Sequence, residues 1–232
     1  TAVDSGTSPV DMDIINNQTK HVTSLATKYG DPSPLTAKGV LRAIEAAVTF
    51  KQGKADLNDL HVAIQGVGKV GEHLAKLLKP HNVRLTIADL DHEIAKKLAN
   101  ELNVSVVEPD EIYSVDCDIF SPCALGGTLN DETIPQLNAK IVIGAANNQL
   151  AEPHHGDSLM QRGILYAPDY VVNAGGLIYA YGQYYDYSID QINDKIEKIY
   201  HATLNICERA KNENLAANVV ADKMAREKIA RA

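Results

Sequence analysis

The sequence predicts an α/β fold with a doubly wound, mostly parallel sheet that is covered by helices on both faces. Two observations indicate this fold. Short apolar segments of strand length alternate with segments of helical periodicity through the middle of the 232-residue chain, a pattern typical of βαβ units and hence of parallel strands. Hydrophobic residues make up 45% of the chain, which is enough for a sizeable core.

Two helices are predicted before the first strand. Ser8-Pro9-Val10-Asp11 combines a capping box with a proline at the first helical position, and predicts a helix over about residues 8–17. Pro34 follows a loop rich in glycine and proline and begins a second helix. Apolar residues recur there at helical spacing as far as the stop signal Gly53.

Strands and helices then alternate. The predicted strands are short apolar runs and cover residues 61–65, 83–88, 104–107, 118–120, 140–143 and 164–166. The predicted helices between them cover residues 69–79, 91–102 and 151–162. Residues 170–172 are interpreted as the end of a further strand. After Gly176 only helices are predicted, over residues 177–187, 188–211 and 216–230, and these C-terminal helices should pack outside the sheet.

The charge balance excludes several functions. Lys and Arg total 22 against 30 Asp and Glu, so the net charge is −8. Binding to nucleic acid or to an anionic membrane needs a positive field, so neither partner is expected. No apolar run approaches the ~18 residues that a membrane span needs, and the first residues do not resemble a signal peptide. The three cysteines cannot form a disulfide framework, which favours a reducing, cytoplasmic location.

A glycine-rich loop joins the first predicted strand to the next helix. Gly66-Val67-Gly68-Lys69-Val70-Gly71 matches G-x-G-x-x-G, and Asp89 ends the following strand. Gly66 permits a tight turn, Gly68 lets the backbone approach a pyrophosphate, and Gly71 lets the helix pack closely on the strand. The motif alone also fits a surface turn, but this context favours a dinucleotide site in a Rossmann-type fold.

The acidic residue after the second strand bears on the choice of cofactor. Asp89 can accept hydrogen bonds from an adenosine ribose, whereas a 2′-phosphate would be repelled by Asp89 and the nearby Asp91. Two like charges ~4 Å apart repel by about 4 kcal/mol at an effective dielectric constant of ~20. NAD is therefore predicted rather than NADP.

Small residues and amides follow three of the later predicted strands, where ligands bind in open α/β sheets. These segments are residues 121–127, 144–149 and 173–176. Small residues let a ligand lie against the backbone, and asparagine can both donate to and accept from a ribose or carboxamide. The alternative that these asparagines serve only turns or caps stays open.

Seven segments together resemble the glutamate/leucine/phenylalanine/valine dehydrogenase family, and most closely its leucine-specific members. The resemblance covers nearly the whole chain and is far more specific than the glycine loop. The segments are Thr1–Thr7, Asp11–Asp13, Gly30–Ala37, Gln65–Gly68, Pro122–Gly126, Gly144–Leu150 and Ala167–Gly176.

The resemblance implies the oxidative deamination of an L-amino acid, such as leucine, to a 2-oxo acid and ammonia, with NAD accepting the hydride. Asp4 occupies the place of the catalytic aspartate, which passes protons during water attack and imine breakdown. Leu177 and Ala180 match positions that shape the substrate side-chain pocket. The full-length protein is expected to be a homo-oligomer.

The implied cofactor contacts include both ends of the dinucleotide. Thr36 lies where the family contacts the nicotinamide carboxamide, and Asn148 lies near the nicotinamide ribose and substrate. All the implied contacts are Thr36, Gly66, Val67, Gly68, Lys69, Val70, Gly71, Asp89, Cys123, Ala124, Asn147, Asn148 and Asn173.

The family's catalytic lysine lies in a Gly-Gly-x-Lys motif that this sequence lacks, because neither Gly126-Gly127 nor Gly175-Gly176 has a lysine at the required position. The substrate domain is therefore expected to be missing. We expect residues 1–20 to be its remnant, 21–205 to form the NAD-binding domain, and 206–232 to form helices that face the missing domain. Without the lysine cation, which stabilises a developing oxyanion, NAD binding without turnover is predicted.

Several alternatives remain open on the sequence. Five of the ten tyrosines lie between residues 179 and 187, and indicate either helix packing or an aromatic-lined pocket suited to phenylalanine or tryptophan. A non-catalytic NAD-binding module and an unrelated enzyme of the same fold are the other candidates. No metal site is expected, because the adjacent His154 and His155 should point apart.

Overall fold

The computed structural model describes residues 1–4, 6–27 and 30–231. Its centre is a six-stranded, all-parallel sheet in the order β3-β2-β1-β4-β5-β6, which confirms the predicted doubly wound architecture. The strands are β1 (His61–Gln65), β2 (Arg84–Ala88), β3 (Ser105–Val106), β4 (Ile119–Pro122), β5 (Ile141–Val142) and β6 (Leu165–Tyr166). The order reverses between β1 and β4, so the ends of these two strands flank the point where such sheets bind ligands.

Helices cover both faces of the sheet and continue beyond it. They are α1 (Pro9–Asn16), α2 (Ser33–Gln52), α3 (Lys69–Leu78), α4 (His92–Leu102), α5 (His155–Gln161), α6 (Asp169–Val172), α7 (Gly175–Tyr184), α8 (Ile189–Glu213) and α9 (Ala217–Ile229). Single 3₁₀ turns occupy Lys79–His81, Glu111–Ser114 and Ile134–Gln136.

Local sequence signals explain where several helices begin and end. Ser8 and Asp11 form the predicted capping box at the start of α1. Asp91 caps α4 by accepting hydrogen bonds from the N–H groups of Glu93 and Ile94. The α2 helix ends at Gly53, whose φ of 79° suits a residue without a Cβ atom.

Two predicted elements differ from the structure. The helix predicted over 151–162 is the shorter α5, because Leu150 forms a bridge with Leu129 and Ala151 donates to the Leu129 carbonyl. Residues 170–172 belong to α6 and not to a strand. The N–H groups of Val171 and Val172 donate to the carbonyl of Pro168, so helical hydrogen bonds override the strand preference of the two valines.

The core lies on both sides of the sheet, because successive strand residues point to opposite faces. Val62 and Ile64 of β1 pack with α2, α3 and α8, whereas Ala63 packs with Phe120 and Leu159 on the other face. Burying a side chain such as Ile64 stabilises the fold by about 1.5–3 kcal/mol. A parallel sheet covered on both faces therefore requires the continuous apolar runs seen in the sequence.

The C-terminal helices pack against α2 and against each other. The α8 helix lies along α2, and α9 packs on α8 through Ile206 and Val220 and through the paired Arg209 and Glu227 side chains. The predicted boundary between residues 205 and 206 falls inside α8. Within the described ranges, no helix is both long enough and apolar enough to cross a membrane.

Candidate functional site

The glycine loop turns sharply from β1 into α3. Gly66 has a φ of 87°, and a Cβ atom there would lie 2.7 Å from the backbone nitrogen of Ala124. Cys123 donates its backbone N–H to the Gln65 carbonyl over 2.7 Å. The loops after β1 and β4 are thus in direct contact at the point where the strand order reverses.

The start of α3 has open space beside it. A Cβ atom at Gly68 would meet no described atom within 4 Å, whereas one at Gly71 would collide with the carbonyl oxygen of Gly66. Gly68 is also the N-cap of α3 and brings no side-chain acceptor to the helix. The first N–H groups of α3, together with the helix dipole, can therefore be offered to an anion.

Asp89 is held against the glycine loop. Its Oδ2 atom accepts a hydrogen bond from the Val67 N–H over 2.7 Å, and its Oδ1 atom accepts one from the Asp91 N–H over 2.9 Å. Each carboxylate oxygen keeps a lone pair for a further donor. The arrangement fixes a carboxylate acceptor beside a helix N-terminus that has no side-chain cap.

Lys69 joins the glycine loop to two segments that precede the sheet. Its Nζ atom lies 3.5 Å from the Thr7 carbonyl oxygen and 3.7 Å from Asp31 Oδ2. Burial opposes ionisation of Asp31, but hydrogen bonds from Ser33 and the nearby Lys69 hold its pKa below the usual value. The ammonium group of Lys69 therefore faces an ionised carboxylate.

Asp4 and Thr36 lie in the segments that Lys69 connects. The Asp4 carbonyl accepts hydrogen bonds from the N–H and the hydroxyl of Thr7, over 3.0 and 2.8 Å. Thr36 donates its hydroxyl to the Pro32 carbonyl over 3.2 Å. A Cβ atom at Gly176 would lie 2.6 Å from that hydroxyl oxygen, so Thr36 is packed against the start of α7.

Cys123 and Ala124 begin the loop after β4. Ala124 contacts Gly66, as described above. Burial raises the pKa of the Cys123 thiol, and its sulfur lies 3.5 Å from the Ser121 hydroxyl. A thiol that stays protonated is a packing group and not a nucleophile.

The three predicted asparagines form a connected group. Asn173 donates its side-chain amide to Asn147 Oδ1 over 2.6 Å and to the Ala145 carbonyl over 3.1 Å. Asn148 has a φ of 52°, and its carbonyl accepts the N–H of Gly127 over 2.7 Å. The structure therefore brings together the loops after β4 and β5 and the residue that follows α6.

The predicted substrate-pocket residues lie on α7. Leu177 is 73% exposed and Ala180 is partly exposed. One turn further along, Tyr181 and Tyr185 have ring centroids 4.5 Å apart, and both rings are about half exposed. The tyrosines thus contact one another, and Leu177 extends the same exposed apolar face of the helix.

Sequence reasoning missed Asp169 and Tyr166. Asp169 accepts the Asn148 N–H over 2.9 Å and the Tyr166 hydroxyl over 3.1 Å. The sequence signals were the position of Asp169 shortly after a predicted strand, a place where charges often serve ligands, and its inclusion in the family-like segment Ala167–Gly176.

The prediction that the side chains of His154 and His155 point apart is wrong. Their ring centroids lie 4.2 Å apart, and Asp131 completes a group whose potential ligand atoms lie within 4.8 Å of one another. The Nδ1 atom of His155 accepts the Glu152 N–H over 2.9 Å, so Nε2 carries the proton and faces Asp131. The His155 ring is thus already committed at both nitrogens.

Known proteins are similar to this chain in sequence. A sequence profile of the Glutamate/Leucine/Phenylalanine/Valine dehydrogenase family matches residues 86–232. A leucine dehydrogenase from Bacillus cereus is 45% identical over an alignment 233 residues long, which covers 99% of this chain and 64% of that protein. The chain thus spans about two thirds of the length of this curated relative.

Two solved structures are similar to the whole chain. L-tryptophan dehydrogenase from Nostoc punctiforme superposes with a TM-score of 0.89 at 41% identity, covering 100% of this chain and 67% of that one. The hetero-hexameric glutamate dehydrogenase from Thermus thermophilus superposes with a TM-score of 0.77 at 21% identity, covering 98% of this chain and 62% of that one, and shows the shared fold alone.

Proposed function

Since the chain belongs to the glutamate/leucine/phenylalanine/valine dehydrogenase family, we propose that it forms the cofactor-binding part of an NAD-dependent L-amino acid dehydrogenase. The reaction is the reversible oxidative deamination of a branched-chain amino acid such as leucine to the 2-oxo acid and ammonia. The observation that carries the proposal is the contact of Asp89 with the glycine loop, beside the uncapped start of α3. We further propose a cytoplasmic protein that is homo-oligomeric when complete.

The residues at the end of the sheet fit a dinucleotide. The pyrophosphate would bind the N–H groups at the start of α3 near Gly68 and Lys69, and the adenosine ribose would donate to Asp89. Asp91 already caps α4, so the N–H groups of Glu93 and Ile94 are not offered to a 2′-phosphate. The ribose contact of Asp89 and the capping role of Asp91 both favour NAD over NADP. NAD supplies the hydride acceptor when bound.

The nicotinamide end would lie near the asparagine group and Thr36. Asn147, Asn148 and Asn173 can bind the ribose and carboxamide through their amides. Asp4 would move protons for the reaction, and Leu177 with Ala180 would line the apolar side-chain pocket. Because the sequence has no Gly-Gly-x-Lys motif, we propose that this chain binds NAD but turns over little or no amino acid by itself.

Isothermal titration calorimetry of the 232-residue chain with NAD⁺, NADP⁺ and ADP tests the proposal. We expect binding of NAD⁺ and ADP and at least tenfold weaker binding of NADP⁺, a difference in binding free energy of about 1.4 kcal/mol or more. A parallel NADH-production assay with leucine should show little or no turnover. Failure to bind NAD⁺ would contradict the cofactor assignment, and normal turnover would contradict the assigned need for a lysine.

An aromatic amino acid is a second candidate substrate. The exposed rings of Tyr181 and Tyr184 follow Leu177 along α7 and both contact the Tyr185 ring, and the solved relative with 41% identity is an L-tryptophan dehydrogenase. A panel of leucine, valine, phenylalanine and tryptophan, tested on the intact dehydrogenase, would separate the two. A non-catalytic NAD-binding module would instead be indicated if the coding sequence upstream of Thr1 holds no Gly-Gly-x-Lys motif.

A further inference from the structure

A buried carboxylate lies beneath the asparagine group. Asp169 is the first residue of α6, follows Pro168 shortly after the end of β6, and is only 9% exposed. Burying a carboxylate is costly unless hydrogen bonds replace its hydration. The groups that supply those bonds therefore indicate what the residue holds in place.

Both carboxylate oxygens of Asp169 accept a hydrogen bond. Oδ2 accepts the backbone N–H of Asn148 over 2.9 Å, and Oδ1 accepts the hydroxyl of Tyr166 over 3.1 Å. Burial, together with the nearby Asp169 charge, raises the pKa of Tyr166 well above its usual value. The Tyr166 hydroxyl therefore keeps its proton and acts as the donor.

The contact with Asn148 fixes a left-handed residue. Asn148 has a φ of 52°, a conformation that asparagine adopts more readily than most residues but that still needs support. Its N–H is held by Asp169, and its carbonyl accepts the N–H of Gly127 over 2.7 Å. The peptide groups on both sides of the Asn148 side chain are thus anchored.

Asp169 also holds the third asparagine, through its backbone. The carbonyl of Asp169 accepts the N–H of Asn173 over 2.9 Å. Asn173 in turn donates its side-chain amide to Asn147 Oδ1 over 2.6 Å. One residue therefore contacts Asn148 with its side chain and Asn173 with its main chain, and Asn147 is linked to the second of these.

We propose that Asp169 is a positioning residue for the nicotinamide end of the dinucleotide site. It sets the spacing between the loop after β5 and Asn173, the residue that follows α6, and so aims the amides of Asn148 and Asn173 at one ligand. The proposal rests on the proposed function, because it assigns those amides to the nicotinamide riboside. It adds a specific consequence: loss of Asp169 should weaken contacts at one end of the cofactor and leave the other end unchanged.

Binding of two ligands to the 232-residue chain separates positioning from general stability. ADP carries only the adenosine and diphosphate part, whereas NAD⁺ carries the nicotinamide riboside as well. We expect Asp169→Ala to raise the Kd of NAD⁺ about tenfold and to change the Kd of ADP by less than about twofold, given the strength of one charge-assisted hydrogen bond. Calorimetric titration with each ligand measures both constants, and circular dichroism checks folding.

Two further variants keep the test decisive if Asp169→Ala does not fold. Asp169→Asn retains an acceptor at the same distance from the Asn148 N–H, and should bind NAD⁺ within about threefold of the original chain. Asp169→Glu retains the charge but displaces it by one methylene, and should lose NAD⁺ affinity selectively. The proposal is overturned if the Asn and Glu variants bind NAD⁺ equally well, or if NAD⁺ and ADP lose affinity in parallel.

The unsubstituted chain gives the reference for both proposals. Binding of NAD⁺ by that chain, with no selective effect in the Asp169 variants, would remove the positioning role and leave the cofactor assignment intact. If the unsubstituted chain binds neither NAD⁺ nor ADP, the cofactor assignment and the positioning role are both overturned.

Discussion

The carboxylate of Asp89 accepts a hydrogen bond from the backbone N–H of Val67 over 2.7 Å. This contact joins the end of β2 to the glycine loop after β1, across 22 residues of sequence. Val67 is fully buried, so its N–H depends on this acceptor. The same contact holds Asp89 where a ribose that accompanies a loop-bound pyrophosphate would reach it.

Replacing Asp89 with alanine should therefore affect both stability and binding. A buried N–H left without a partner costs about 1–3 kcal/mol of the free energy of unfolding. NAD⁺ affinity should fall at least tenfold, a loss of about 1.4 kcal/mol or more, while the preference for NAD⁺ over NADP⁺ narrows. Urea unfolding and calorimetry measure these effects. The exposed Glu93→Gln variant on α4 serves as the control and should match the original chain in both measurements.

Two glycines of the same loop should respond differently to alanine. Gly66→Ala should destabilise the fold, because φ is 87° and the new methyl group would press against the Ala124 backbone. Gly68→Ala should leave the fold intact, because its φ of −64° suits alanine and the space beside it is open. It should nevertheless weaken NAD⁺ binding, since the methyl group enters the proposed pyrophosphate space. Thermal melts and NAD⁺ titrations measure the stability and the affinity of both variants. A stable Gly66→Ala variant or a destabilised Gly68→Ala variant that binds NAD⁺ normally would contradict the prediction.

Loss of the Lys69 cation should loosen the turn that bears Asp4. The ammonium group contacts the Thr7 carbonyl and Asp31, and an exposed contact of this kind contributes at most about 1 kcal/mol. Lys69→Met should therefore raise the hydrogen-exchange rate of the Thr7 amide by about threefold, and Lys69→Arg should restore the original rate. Amide exchange within α3 is the internal control. Equal Thr7 exchange in all three proteins would show that Lys69 does not hold this segment.

His61 should make the protein less stable in mild acid. Its Nδ1 atom donates to the Asp116 carbonyl and its Nε2 atom accepts the Thr86 hydroxyl, each over 2.8 Å. Burial and the nearby Arg84 charge lower the pKa of His61, whereas the contacts with Asp116 and Asp118 raise it. Burial is the largest effect, so the pKa lies below its usual value. The neutral ring is thus favoured in the folded state, so the stability it contributes is present above about pH 6.5 and is lost as the pH falls through the lowered pKa.

Urea unfolding between pH 7.5 and 5 measures this dependence, with both limits chosen to bracket the usual histidine pKa of about 6.5. His61→Asn should flatten the loss of unfolding free energy at the acid end. The exposed His81→Asn variant should keep the slope of the original chain. Identical slopes for the His61 variant and the original chain would contradict the assignment.

Most of the fold follows from local patterns. The apolar runs at β1, β2 and β4 and the helices between them were predicted because their periodicity and caps act over a few residues. The glycine loop was also readable, because the tight turn and the close packing of α3 require residues without a Cβ atom. Exceptions arose where distant segments compete for the backbone, as when Leu129 pairs with Leu150 and shortens α5.

The candidate site was only partly predictable, because some of its contacts join residues that are distant in the sequence. Glycines and Asp89 sit at fixed offsets along one βαβ unit, so the sequence alone predicted a sharp glycine turn from β1 into α3 and the acidic residue that accompanies it. The bond between Asp169 and Asn148 spans 21 residues, and the choice of these partners depends on which strand ends lie side by side. Only the tertiary structure decided that, because hydrogen bonds are short-ranged and the order of strands in a sheet is set by packing across the whole core.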